Sequence, residues 1–194
     1  GAAVVRALAA RKLPAGVFSL LQGREPATSL ELVRHPLLAA VGFTGSPQAG
    51  RALFDAGARR DSPIPIFAEM SSLNPVFLLA GALAERGPAI AARLHASFTL
   101  GVGQFCTKPG VIFGAESPGW EAFAKALTDL ARTTVPGVML NSGIAAAFAR
   151  SLADVDGVEW LNRGAANVAR VSASTFCTRA DLRREIFGPF TLLV

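Results

Sequence analysis

Short apolar runs alternate with segments whose apolar residues recur every three or four positions, and this alternation continues along nearly the whole chain. It predicts an α/β protein built from crossover units on a largely parallel sheet. Val4, Val5, Leu8 and Ala9 mark a first helical face, AGVFSLLQG (15–23) reads as a buried strand bounded by glycines, and SLELVRHP (29–36) as a short helix. That helix stops before Pro36, because the residue preceding a proline is pushed out of helical backbone. LLAAVGF (37–43) is the next strand, and after it Ser46 is suited to cap a helix whose first residue is Pro47.

Two further strands are predicted in IPIFAEM (64–70) and NPVFLLAG (74–81), then a helix in PAIAARLHASFTLG (88–101) capped by Gly101, and a strand in PGVIFG (109–114). Residues 119–133 and 141–154 are helical by period, the second with Asn141 as N-cap. ANVARVSAST (166–175) and FTLLV (190–194) return to strand. The last run ends on Val194 with no polar finish, which predicts an unpaired edge and a chain that looks cut there.

Composition narrows the class. With 194 residues, 51% of them hydrophobic, the chain can bury a substantial core as one domain or two small ones. Arg, Gly, Pro or Asp interrupts every apolar stretch before the roughly 18 residues that a spanning helix needs, so a soluble protein without a membrane partner is expected. The amino terminus has no apolar segment followed by a cleavage site, so no secretory signal is read there. The net charge of +5 comes from single arginines such as Arg6, Arg51, Arg93, Arg132, Arg150 and Arg170, without a lysine tract or interleaved aromatics. Nucleic acid is therefore not an expected partner. Cys106 and Cys177 have no neighbouring cysteine or histidine at ligand spacing, which predicts no metal site and no disulfide framework, and makes the reducing cytoplasm the expected location.

Four stretches could carry chemistry, and each also has a plain structural reading. In FTGSPQAG, Gly45 and Gly50 flank a strand-to-helix junction whose free N–H groups and helix dipole suit a pyrophosphate, although neither common phosphate-loop signature is present. Glu69 is a lone carboxylate that, if buried, would act as a general base near neutral pH; otherwise it is a strand-end residue reaching solvent. Cys106 in GQFCTKPG is either an inert core thiol or a nucleophile, and a nucleophile needs a nearby cation, base or helix terminus, for which Lys108 is a candidate. EIFGP offers Glu185 to ribose hydroxyls and Phe187 to a planar ring, or is only a turn before a strand.

In this order and spacing, FTGSPQAG, the glutamate of FAEMSSLNP, the cysteine of GQFCTKPG and EIFGP resemble the aldehyde dehydrogenase superfamily, from LPAGVFSLLQG onward. AEMSSLNPVF with GQFCTKPG looks most like the branch holding 2-oxoglutarate-semialdehyde (2,5-dioxopentanoate) dehydrogenases and NADP-dependent fatty-aldehyde dehydrogenases. The resemblance implies that Cys106 attacks an aldehyde to give a thiohemiacetal, that hydride passes to NADP or NAD, and that Glu69 activates water against the resulting thioester. It further implies part of an oxyanion site at the Cys106 N–H, cofactor contacts at Thr44, Gly45, Ser46 and Gly50, and nicotinamide-riboside contacts at Glu185 and Phe187.

The implied fold is the end of a Rossmann-like cofactor domain over residues 1–68 plus most of an α/β catalytic domain over 69–194. The implied partners are a small aldehyde, foremost 2-oxoglutarate semialdehyde, and in the intact enzyme a homodimer or homotetramer. Family chains are more than twice as long, so the isolated 194 residues are expected to show little dehydrogenase activity. A fatty-aldehyde dehydrogenase, or a non-catalytic nucleotide-binding or structural chain that keeps the fold, are the alternatives.

Overall fold

In the computed structural model, which describes residues 1–23 and 25–194, the chain divides into two units, Gly1–Met70 and Ser71–Val194. The first holds α1 (Ala2–Ala10), α2 (Pro26–Arg34), β1 (Val41–Thr44), α3 (Pro47–Ala58) and β2 (Ile66–Glu69). β1 and β2 pair in parallel from Val41↔Ile66 to Thr44↔Glu69, with α3 as the crossover. The α3 start follows the sequence: the Ser46 hydroxyl accepts from the Ala49 N–H at 3.2 Å and Pro47 opens the helix. The Arg60 guanidinium donates to the carbonyls of Val33, Pro36 and Leu38, tying the end of α2 to the approach to β1.

The strand expected over 15–23 is not formed. Val17 and Leu21 there are 59% and 63% exposed, and among the described residues no strand pairs with this stretch, so its backbone has no ladder to join. The strand expected over 37–43 is confined to Val41–Thr44, the part that faces β2.

The second unit contains β3 (Val76–Leu78), α4 (Ala80–Thr99), β4 (Val111–Gly114), α5 (Pro118–Arg132), α6 (Ser142–Ala153), β5 (Glu159–Asn162), β6 (Asn167–Arg170), α7 (Ala173–Thr178) and β7 (Phe190–Leu193). The sheet order is β3-β4-β7-β6-β5, parallel except for the antiparallel β5-β6 pair. Mixed α/β architecture on parallel sheets is thus as expected. The inner strands β4, β7 and β6 are buried on both faces, and successive residues of a strand serve opposite cores: Ile112, Val168 and Leu193 pack with Phe98, Phe123 and Leu127 of α4 and α5, while Val111, Ala169 and Leu192 pack with Phe176 and Leu182. Burial on both faces explains why β4 and β7 read as unbroken apolar runs.

Several boundaries differ from the sequence reading for local reasons. β7 lies between β4 and β6 and is buried along its length, so the expected unpaired edge at the Val194 run is absent. β6 ends at Arg170 rather than running to 175, because Ser172 caps α7 by accepting from the Thr175 N–H at 3.3 Å. α4 begins at Ala80, inside the expected strand, and is kinked at Arg86 (φ −144°), two residues before Pro88. No helix among the described residues is long and apolar enough to cross a membrane, and no group of three His, Cys, Asp or Glu side chains there is placed to hold a metal ion.

Candidate active site

Within the first unit, the end of the β1/β2 pair gathers five of the candidate residues. Thr44 sits opposite Glu69, and the Gly45 N–H donates to the Glu69 carbonyl at 3.1 Å. Ser46 then caps α3, leaving the Gln48 N–H of the first helical turn without an intramolecular acceptor among the described residues. Gly50, one turn into α3, is buried, and a Cβ there would lie 2.7 Å from the Met70 sulfur and 3.2 Å from the Phe43 ring. This is the carboxyl end of parallel strands leading into a helix N-terminus, the arrangement that suits an anionic ligand. Glu69 is exposed in this unit, at the strand end that the sequence also allowed.

In the second unit, α4 gives way to a tight segment in which Gly101, Val102 and Gly103 all have positive φ (55°, 59° and 67°). A β-turn follows, closed by the Lys108 N–H donating to the Phe105 carbonyl at 3.1 Å, with Cys106 at its first corner and the thiol exposed. Cys106 is therefore not the small core residue of the plain reading. Asn74, itself left-handed at φ 46°, clamps this turn. Its amide nitrogen donates to the carbonyls of Cys106 (2.7 Å) and Lys108 (3.0 Å), and its carbonyl oxygen accepts from the Ser72 hydroxyl (2.9 Å). Gln104 adds a strap, donating to the Gly101 carbonyl at 2.8 Å and accepting from the Leu140 N–H at 3.0 Å. The Cys106 N–H has no protein acceptor among the described residues, which leaves it available to an oxyanion.

Lys108 does not turn toward the thiol as the sequence reading allowed. Its side chain is 1% exposed and its ammonium donates to the Phe190 carbonyl at 3.0 Å. Burial lowers its pKa to about 8, against the opposing pull of the Glu185 charge. Glu185 is half-buried; desolvation raises its carboxyl pKa, while the Lys108 charge and the Ser72 main chain lower it. Phe187, two residues on, is 37% exposed. The structure thus brings the Cys106 turn together with the Glu185–Phe187 turn in one unit, and Thr44, Gly45, Ser46, Gly50 and Glu69 together in the other. Asn74 and the burial of Lys108 escaped sequence reasoning; the signal for Asn74 was an Asn before Pro at a strand start, a residue that tolerates left-handed backbone and bonds to nearby main chain.

A family profile described as "Aldehyde dehydrogenase family" matches residues 1–193. The chain belongs to that family. This aldehyde dehydrogenase chain is 38% identical over 205 residues to an alpha-ketoglutaric semialdehyde dehydrogenase of Acinetobacter baylyi, covering 99% of the chain and 39% of the relative. It is 42% identical over 206 residues to alpha-ketoglutaric semialdehyde dehydrogenase 2 of Azospirillum brasilense, covering 100% of the chain and 39% of the relative. The aldehyde dehydrogenase chain therefore spans about two-fifths of the length of the curated relatives it matches. Among solved structures, a NAD-dependent benzaldehyde dehydrogenase from Corynebacterium glutamicum matches with TM-score 0.81 and 19% identity, over 100% of this chain and 44% of that one. Proline utilization A of Bradyrhizobium japonicum (mutant D778Y) matches with TM-score 0.81 and 20% identity, over 100% of this chain and 21% of that one. At those identities the likeness concerns the fold.

Proposed function

We propose that this chain is the part of a NAD(P)-dependent dehydrogenase that oxidises a semialdehyde to its carboxylic acid, with 2-oxoglutarate semialdehyde as the substrate. The observation that carries the reading is the exposed Cys106 thiol at the corner of a turn whose carbonyls are fixed by Asn74. The names of the two relatives at 38% and 42% identity support the choice of substrate.

Cys106, as thiolate, adds to the aldehyde carbon and forms a thiohemiacetal whose oxygen the Cys106 N–H stabilises. The nicotinamide cofactor, when bound, supplies the hydride acceptor that turns this adduct into a thioester. Glu69 then takes a proton from water, which attacks the thioester carbonyl, and the acid leaves as Cys106 regains its thiol. The residues fit the cofactor chemically: the free Gln48 N–H at the start of α3, with Thr44, Gly45 and Ser46, would receive the diphosphate, Gly50 would let the first turn of α3 pack closely on Met70 and Phe43 beneath it, and Glu185 and Phe187 would receive the nicotinamide riboside. On this reading residues 1–68 belong to the cofactor domain and 69–194 to the catalytic domain.

The test is reduced-nicotinamide absorbance from a full-length dehydrogenase carrying this chain and from its Cys106→Ser variant. Each is given 2-oxoglutarate semialdehyde, a short aldehyde and a long-chain aldehyde, with NAD+ or NADP+. Activity on the semialdehyde that disappears in Cys106→Ser is expected; a parent enzyme that oxidises none of the three sinks the reading.

A further inference from the structure

The β4–β7 ladder repeats every two residues: the Leu192 N–H donates to the Gly110 carbonyl at 3.0 Å, the Val194 N–H to the Ile112 carbonyl at 2.9 Å, and the Gly114 N–H to the Val194 carbonyl at 3.1 Å. Carried back to the start of β7, the same repeat would bring the Gly110 N–H to the Phe190 carbonyl. That bond is not made. The Gly110 N–H turns to the other side of β4 and donates to the Leu73 carbonyl at 2.8 Å, an approach that glycine permits, since a Cβ there would lie 3.0 Å from the same oxygen. The donor that reaches the Phe190 carbonyl is the Lys108 ammonium, at 3.0 Å, on a side chain that is 1% exposed. The preceding step of the ladder is replaced in the same way. The Lys108 carbonyl, which the repeat would offer to the Phe190 N–H, accepts from the Asn74 amide at 3.0 Å, and the Phe190 N–H bonds back to the Gly188 carbonyl at 2.8 Å.

The main chain thus leaves the ladder at the point where it turns to present Cys106, and two side chains supply the missing donors. We propose that Lys108 is a positioning residue: its buried ammonium stands in for the Gly110 N–H, carries the β4–β7 pairing one step beyond the strands, and so sets the Cys106 turn against the start of β7 and the Glu185–Pro189 turn directly before it. Lysine suits this place because its four-carbon stem spans the gap that the departing main chain leaves and ends in a strong donor. The main chain of Gly103, packed on that of Gly188, brings the two turns into contact, whereas the Lys108 bond is directional and fixes how they are aligned. The inference rests on the aldehyde dehydrogenase reading given above, in which hydride passes from the Cys106 adduct to a nicotinamide beside Glu185 and Phe187. It assigns no proton transfer and no bond-making to Lys108.

A carbonyl signal and a kinetic split test it. With 13C-carbonyl phenylalanine and 15N-threonine in the 194-residue chain, the Phe43–Thr44, Phe98–Thr99 and Phe190–Thr191 pairs give correlated signals, and the one lost in Thr191→Val belongs to Phe190. In Lys108→Met the Phe190 carbonyl carbon moves upfield, as it does on losing a hydrogen-bond donor, while the other two stay in place; Lys125→Met, on an exposed side chain of α5, moves none of them. In a full-length dehydrogenase carrying this chain, Lys108→Met lowers kcat for aldehyde oxidation roughly tenfold, because the adduct and the nicotinamide are no longer aligned. Hydrolysis of p-nitrophenyl acetate, which uses the thiol but transfers no hydride, stays within about twofold, because the main-chain bonds that shape the Cys106 turn are untouched. General loosening of the site would lower both rates together. If Lys108→Met does not fold, Lys108→Gln carries the same comparisons, since its amide ends one atom short of the ammonium. An unmoved Phe190 carbonyl in the folded variant, an undiminished oxidation rate, or oxidation and ester hydrolysis falling in step overturns the proposal. A full-length parent that oxidises no aldehyde would defeat the proposed function instead, and the Phe190 carbonyl signal would still decide whether Lys108 completes the ladder.

Discussion

The main chain of Gly103 rests directly on that of Gly188: a Cβ at Gly103 would lie 2.2 Å from the Gly188 carbonyl carbon and 2.4 Å from its oxygen. No side-chain rotation relieves such a clash, and Gly103 also has φ +67°, a region where L-residues are strained. Gly103→Ala is expected to destabilise the second unit by roughly 3 kcal/mol or more, since both backbone strain and overlap act at once. Gly157→Ala is the matched comparison, because it shares a positive φ (+60°) but meets only the far end of the Arg179 side chain. That variant should lose only about 1 kcal/mol. Urea unfolding of the two variants side by side reads the difference, and equal losses would mean that the Gly103–Gly188 contact adds nothing beyond backbone conformation.

Asn74 uses both halves of its side-chain amide on the Cys106 region, and no other residue type of that size offers two donors and an acceptor together. Asn74→Asp keeps the shape but removes both donors and sets a carboxylate against two carbonyl oxygens. In a full-length dehydrogenase carrying the chain, kcat should fall by roughly 10- to 100-fold, because the thiol is no longer held in attacking geometry, with little change in cofactor KM. The same change should alter the alkylation rate of Cys106 and leave that of the distant, exposed Cys177 unchanged, which separates turn loosening from unfolding. An Asp variant with unaltered kcat would show that the turn holds its shape without the clamp.

The parts of this molecule that could be read from sequence are those set by local chemistry. The Ser46–Pro47 and Asn141 helix starts appear where expected because a cap and its acceptor lie within three residues of each other. The breaks around Cys106 and in EIFGP are visible as glycine- and proline-marked stretches, although the exposure of the thiol is not. What could not be read depends on distant partners. AGVFSLLQG has the composition of a strand, yet among the described residues it has nothing to pair with. FTLLV reads as an edge because a run of apolar residues does not say which strands flank it, whereas β7 lies between β4 and β6. The burial of Lys108 was hidden for the same reason, since the Phe190 carbonyl that receives its ammonium lies 82 positions along the chain.

That burial has a pH signature. Lys108 has its pKa lowered from 10.5 to about 8 in the folded chain, chiefly by desolvation, with the Glu185 charge opposing. Between about pH 8 and 10.5 the unfolded chain therefore holds more of this proton than the folded one, so this residue makes stability rise with pH across that window. The rise should approach roughly 3 kcal/mol for the full shift, and Lys108→Met should lack it. Chemical denaturation at a series of pH values from 7 to 11 measures the difference between the two profiles. Parallel profiles would mean that the ammonium stays solvated and that its site is wetter than its 1% exposure indicates.

Thr191 offers a change that should strengthen the fold. It is fully buried in β7, opposite Val168 of β6, and its hydroxyl has no hydrogen-bond partner among the described residues. A hydroxyl taken out of water without a partner costs about 1–3 kcal/mol, while its β-branched shape suits the strand and its methyl group packs as valine would. Thr191→Val keeps that shape and removes the unsatisfied group, so the urea midpoint of the second unit should increase by the equivalent of about 1 kcal/mol at unchanged denaturant slope. The Cys106 alkylation rate should not change, because the hydrogen bonds of the Asn74 clamp and of the Lys108 ammonium use no side-chain atom of Thr191 or Val168. A destabilised Thr191→Val chain would indicate a buried water bonded to this hydroxyl, and the loss of stability would measure what that water contributes.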